Sequence, residues 1–220
     1  MKIGSVVLMQ IMDEDIERRL RNKFEKEMER EIEIVVIKSD KEEECQLCGL
    51  TIELVNKLSE LSNKIKVKIY EKSSAAAKKY SIERVPSILI DPTNYKIVYT
   101  GAPIGEEGWA FIETMVLVSQ DDSKLSQEAR EKLKELKDER HIEVYVTPTC
   151  PYCPLAVLLA NKVAIEGKGK VKAECIEVQE NMDLAMKYNI RSVPQQIIDG
   201  KVSSVGVQPE LKFVEDVIRG

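Results

Sequence analysis

The stretch HIEVYVTPTCPYCPLAVLLANKVAIEG, residues 141–167, runs from alternating β-branched positions through Cys150-Pro151-Tyr152-Cys153 into a dense apolar segment. It reads as a strand, a loop and a helix that begins at or just after the second cysteine. The first turn of a helix presents unpaired backbone N–H groups and the positive end of the helix dipole. A thiolate there is stabilised, and its pKa falls below the ordinary value of about 8.5. Two intervening residues place the second sulfur within one turn, close enough to attack a mixed disulfide and release its partner. Cys150 therefore reads as a nucleophile and Cys153 as its resolving thiol.

The same plan occurs a second time. Cys45-Gln46-Leu47-Cys48 stands in the first half, followed by KKYSIERVPSILIDP; the second half follows its own pair with MKYNIRSVPQQIIDG. Tyr80 matches Tyr188, Ile82 matches Ile190, Arg84 matches Arg191 with a one-residue slip, and Val85-Pro86 matches Val193-Pro194. From cysteine to proline the chain runs 45 to 86 in one copy and 150 to 194 in the other, so the landmarks keep their spacing while the loops differ. By the same argument Cys45 is the nucleophile and Cys48 the resolving thiol of the first copy.

The surrounding pattern is α/β in both halves. Residues 13–29 place Ile16, Leu20 and Phe24 at intervals of four among charges, predicting a surface helix with one buried stripe. EIEIVVIKS predicts a strand, GLTIELVNKLSELSNK a helix, KIKVKIYE a strand and SSAAAKKY a short serine-capped helix. The Val-Pro-SILI and KIVYT strands and a helix over 106–119 complete the first half. A helix over 126–138 opens the second, which ends in KVKAECIEV, NMDLAMKY, a hairpin turning at Asp199-Gly200, and PELKFVEDVIRG. The polar tetrad 120–123 is the predicted join, giving units 1–120 and 121–220, each with a central mixed sheet flanked by helices. The join is short and carries no Gly or Pro, so the units are expected to pack together.

Composition excludes several function classes. With 33 Lys and Arg against 38 Asp and Glu in 220 residues, the net charge of −5 argues against a nucleic-acid footprint. No apolar run approaches the roughly 18 residues of a membrane span. The opening MKIGSVVLMQIMDED is soon acidic and lacks a small-residue cleavage pattern, so it does not read as a signal peptide.

Taken together, the strand, CxxC, helix, Ile-x-x-Val-Pro stretch and closing hairpin resemble a thioredoxin fold. Two such units in one chain resemble the protein disulfide oxidoreductases of thermophilic bacteria and archaea, over essentially the whole length. CPYC is also a glutaredoxin-like dipeptide pattern, whereas CQLC is not a common one. The resemblance implies dithiol–disulfide exchange with protein thiol and disulfide clients at both pairs, with isomerase activity in some members, in a cytoplasm that tolerates protein disulfides. It implies no bound cofactor and no metal, and a thioredoxin-reductase-like flavoprotein as the electron partner. It further implies that Pro86 and Pro194 follow cis peptide bonds beside the cysteines, with Val85 and Val193 joining them in holding an extended client. The fold family carries a buried acid six residues before the first cysteine, where this chain has Ser39 and Val144. Glu177, in the strand after the CPYC helix, is the candidate substitute for proton transfer. The 32% charged residues fit the ion-pair networks of a thermophile.

Competing readings are set by spacing and surroundings. A four-cysteine zinc site places its pairs about 15 to 20 residues apart, whereas here Cys48 and Cys150 are separated by most of a unit. A purely structural disulfide across so small a loop contributes little stability. Glu42, Glu43 and Glu44 directly precede Cys45 and oppose thiolate formation, so Cys150 is expected to be the more reactive. Cys175 sits in an apolar strand as a small hydrophobe. His141, the only histidine, serves one site at most as a protease-like base. Two functional alternatives stand beside exchange with protein clients: a glutaredoxin-like reductase serving a peroxiredoxin, and a non-catalytic module that holds unfolded chains beside Pro86 and Pro194.

Overall fold

The structure, a computed structural model, describes residues 12–220. The reading of the opening stretch as no signal peptide falls on residues that, up to 11, lie outside those described. The first unit comprises α1 (Glu14–Glu27), β1 (Ile32–Lys38), a 3₁₀ turn (Glu42–Glu44), α2 (Cys48–Leu61), β2 (Ile65–Glu71), α3 (Ala75–Lys79), β3 (Ser87–Ile90), β4 (Lys96–Thr100) and α4 (Glu107–Gln120). The second comprises α5 (Gln127–Leu133), β5 (Arg140–Val146), α6 (Cys153–Glu166), β6 (Val171–Glu177), α7 (Met182–Lys187), β7 (Gln195–Ile198), β8 (Lys201–Val205) and α8 (Glu210–Arg219).

The two units do not merely pack; they share one eight-stranded sheet in the order β2-β1-β3-β4-β6-β5-β7-β8. Within each unit the strand leading to the cysteines lies parallel to the strand after the CxxC helix and antiparallel to the strand after the Val-Pro. The seam is the parallel pairing of β4 with β6, in which Tyr99 faces Cys175 and Thr100 faces Ile176. Two sheet edges that would each expose a row of N–H and C=O groups thereby satisfy one another.

β1 explains why EIEIVVIKS turns wholly apolar. Ile34 and Val36 enter a core that also contains Phe111, Val157 and Phe213, and so runs across both units on one face. Val35 and Ile37 enter a smaller cluster with Ala77 of α3 on the other face. A matching cluster of Tyr145, Ile176 and Ile197 lies on that second face in the other unit.

Two local differences from the sequence pattern have physical causes. The α1 stripe is buried at Phe24, but Ile16 is 38% exposed because that end of the helix overhangs a groove of about 440 Å³ between α1, α2 and α4, lined also by Trp109. The helix over 126–138 stops at Leu133. Lys134, Glu135 and Leu136 each donate to the carbonyl three residues back, at 3.3, 2.9 and 3.1 Å, and this tighter turn sends Leu136 into the core. The hairpin turns at Asp199-Gly200 as expected, with φ of 49° and 78°, the positive values that so tight a turn requires.

Buried polar contacts lock the seam. Asn161 of α6 donates to Tyr99 Oη at 3.0 Å and to Thr114 Oγ1 at 2.9 Å, both in the other unit, and is 1% exposed. At the surface Arg84 bridges to Asp183, donating at 2.9 Å. Asn161→Ala strips hydrogen bonds from a dry interface, so we expect a loss of about 1–3 kcal/mol. The urea midpoint should fall with its slope unchanged; an unaltered midpoint removes the network from the stability of the seam.

Candidate active site

Both cysteine pairs sit where a loop passes into a helix. Cys48 is the first residue of α2, and Cys153 the first of α6. In each, the backbone N–H of the second cysteine donates to the carbonyl of the first, at 3.4 Å for Cys48 and 3.3 Å for Cys153. The peptide bonds before Pro86 and Pro194 are both cis. Beyond this shared frame the two sites differ.

Cys45 and Cys48 form a disulfide with an S–S distance of 2.06 Å, and both are buried. Ser39 N–H donates to Cys48 Sγ at 3.4 Å from the position where the fold family places an acid. Cys150 and Cys153 are free thiols, Cys150 half-buried and Cys153 fully buried. Cys150 Sγ donates to the Val193 carbonyl at 3.6 Å, which places the residue before Pro194 beside the sulfur. Burial pushes the Cys153 thiol far up, and the neighbouring Cys150 and Glu107 push it further.

Glu107 is a residue of the candidate site that sequence reasoning missed. It belongs to α4 of the first unit, yet it acts on Cys153 and receives a hydrogen bond from Cys175 Sγ at 3.8 Å. It is 1% exposed, and its Oε1 has no hydrogen-bond partner among the described residues. Burial pushes its carboxyl up to about 8, the Glu106 charge adding to the rise and the Cys175 contact opposing it.

The approach that brings α4 to the second pair depends on Gly105. With φ of 64°, a Cβ at this position would lie 2.3 Å from the Pro148 carbonyl oxygen, and Glu106 N–H donates to that same oxygen at 2.9 Å. The start of α4 is thereby tied to the loop that precedes Cys150. No sequence signal marks this, because Glu107 is remote from CPYC along the chain.

The other sequence candidates fall as follows. Glu177, the candidate for proton transfer, ends β6 as expected and lines a cleft of about 480 Å³ that also holds Cys45, Val85 and Pro86. Cys175 is buried as expected, but in contact with Glu107. His141 pairs with Glu174 at 3.0 Å. Among the described residues no helix is long and apolar enough to cross a membrane.

Two units that each open a helix on a CxxC beside an X-Pro strand define a thiol–disulfide oxidoreductase of thioredoxin fold, able to pass an electron pair between its cysteines and those of another chain. A thioredoxin domain family matches residues 140–219. A thioredoxin from Methanocaldococcus jannaschii is 38% identical over 76 residues, spanning 34% of this chain and 89% of that one. The structure of a protein disulfide oxidoreductase from Aeropyrum pernix superposes with a TM-score of 0.87 at 34% identity, covering 94% of this chain and 92% of that one. A domain of alkylhydroperoxide reductase AhpF from Enterococcus faecalis, at 23% identity and a TM-score of 0.80, covers 94% and 99% and shares the fold. The chain belongs to the protein disulfide oxidoreductases.

The buried carboxyl makes stability depend on pH. Glu107 holds its proton to about pH 8 in the folded chain, against the ordinary carboxyl value of 4.5. The folded state therefore binds more protons between those limits, and the stability this group contributes is full below 4.5 and lost as pH rises through 8. Glu107→Gln stays neutral throughout. Its unfolding free energy relative to the parent should rise from pH 5 to pH 9 in urea titrations, and a difference flat across that range sinks the assignment.

Proposed function

We propose that the chain exchanges disulfides with protein clients at both pairs, residues 1–120 carrying the first and 121–220 the second, and that the second is the faster. Cys150 and Cys45 are the nucleophiles, Cys153 and Cys48 the resolving thiols. The observation that carries this reading is a CxxC at the start of a helix in each unit, with the second pair presenting a more accessible Cys150 in front of a buried Cys153.

In the reducing direction the Cys150 thiolate attacks a client disulfide. The client S–S bond breaks, a Cys150–client disulfide forms and one client thiolate leaves. In the fraction of molecules where Glu107 is ionised it takes the proton of Cys153, which attacks the Cys150 sulfur and expels the second client thiolate. The client gains two electrons, and Cys150 and Cys153 end as a disulfide. The client thiolates take up protons, one of them returned through Glu107. A carboxyl poised near 8 exchanges protons readily around neutral pH, and in the oxidising direction it returns one to Cys153.

The Val193 carbonyl beside Cys150 supports a client strand laid along Val193-Pro194, with Val85-Pro86 in the same role at the first pair. Glu107 takes the proton-transfer role for which Glu177 was the sequence candidate. We assign the source of electrons to a thioredoxin-reductase-like flavoprotein, and the setting to the cytoplasm. The likeness in fold to a domain of an alkylhydroperoxide reductase supports a redox partner of that kind.

Insulin disulfide reduction tests this. Cys45→Ser with Cys150→Ser should abolish it, and Cys150→Ser alone should cost more than Cys45→Ser alone. Activity surviving in the double variant means the exchange mechanism is wrong. With the first pair removed, Glu107→Gln should slow turnover on the order of 10²-fold at pH 7 and let the Cys150–client disulfide accumulate in mass spectra.

A further inference from the structure

The cleft over Cys45 is built by both units. Glu43 and Glu44 come from the turn before the cysteine and Val85-Pro86 from the neighbouring strand, while Pro148 and the loop from Glu177 to Glu180 come from the second unit. Four carboxylates line it, and no Lys, Arg or His does among the described residues. Glu44 is paired with Lys41 at 2.8 Å. Glu43, Glu177 and Glu180 have no ion-pair partner among the described residues.

Glu177 is the informative member. It is 5% exposed, and Oε2 accepts the Glu180 N–H at 2.6 Å. Its Oε1 is buried with no hydrogen-bond partner among the described residues. Glu180 Oε1 accepts the Ala102 N–H at 2.7 Å, and burial together with the Glu177 charge raises its proton affinity. Gly101 lets both carboxylates lie against the strand end, since a Cβ there would fall 2.7 Å from Glu177 Cβ and 2.8 Å from Glu180 Oε1. A buried carboxylate oxygen without a donor is costly, and a cationic group entering the cleft removes that cost.

We propose that the first pair selects clients whose reactive cysteines lie in basic segments, Glu177 and Glu180 accepting the ammonium or guanidinium groups that flank them. The inference rests on the reading that Cys45 and Cys48 exchange with protein clients. In the reaction a client thiolate opens the Cys45–Cys48 disulfide and forms a mixed disulfide. The second client thiol displaces it, so the client is oxidised to a disulfide and its two thiol protons end on Cys45 and Cys48.

The test uses the full chain with Cys150→Ser and Cys153→Ser, leaving the oxidised first pair alone. Single-turnover rates are measured with dithiol peptides of one length whose cysteines are flanked by lysines or by glutamates. Each rate is divided by that peptide's own rate with 2-hydroxyethyl disulfide, which removes the effect of the flanks on thiol acidity. The lysine peptide should react at least about tenfold faster at low salt, and the ratio should shrink toward one in about 0.5 M salt. Glu177→Gln with Glu180→Gln should bring the low-salt ratio within about twofold. If that pair fails to fold, Glu43→Gln and the salt dependence of the unaltered cleft read the same charge preference. Equal rates for the two peptides, with dithiothreitol still opening the disulfide, overturn the selectivity alone. If neither peptide nor dithiothreitol reacts, the exchange reading of Cys45 falls and this inference falls with it.

Discussion

The backbone pairing of β4 with β6 is the constraint on which the rest depends. It turns two four-stranded sheets into one and sets the register in which Tyr99 faces Cys175 and Thr100 faces Ile176. Everything that crosses the seam follows from that register: the Asn161 contacts to Tyr99 and Thr114, the bridge from Arg84 to Asp183, and the continuous core beneath. A single core spanning both units makes them one folding structure in effect, although the topology of each is complete in itself.

The seam also explains why each cysteine pair has a neighbour from the other unit. β4 leads into the loop that carries Gly105 and the start of α4, and this loop closes on Pro148, just ahead of Cys150. β6 ends at Glu177, and the loop beyond it forms a wall of the cleft over Cys45. One carboxyl is thus delivered to the second pair and two to the first, by the two strands that meet. The environments that result are unlike. Glu107 is dry, singly placed and in contact with a thiol, suited to handling a proton, whereas the carboxyls over Cys45 form a wall suited to a cation.

The unit plan was legible because local rules and tertiary packing agree on it. The change of period from two to nearly four on either side of each CxxC, the serine cap of the short helix at Ser74, and the Asp199-Gly200 turn all encode backbone geometry over a few residues. The cysteines could be sorted for the same reason, since a pair at a helix start is a feature of short range. Ile16 was misplaced because an intact helical stripe does not reveal whether a neighbour covers its far end. Glu177 was legible as a carboxyl on the strand after the CPYC helix, but not that its side chain lines the cleft of the opposite pair.

The sequence by itself determined two α/β units with a cysteine pair at the start of a helix in each, and hence the chemistry open to them. Repeats, periodicity and spacing are properties of neighbouring residues. The tertiary structure alone decided that the units join edge to edge, that the Glu107 charge of the first unit bears on Cys153, and that Glu177 and Glu180 of the second line the cleft over Cys45. Which sheet edges pair is settled by hydrogen bonds and burial between segments far apart in the chain. A carboxyl's proton affinity is set by the desolvation that such burial imposes, and no local pattern of residues records either.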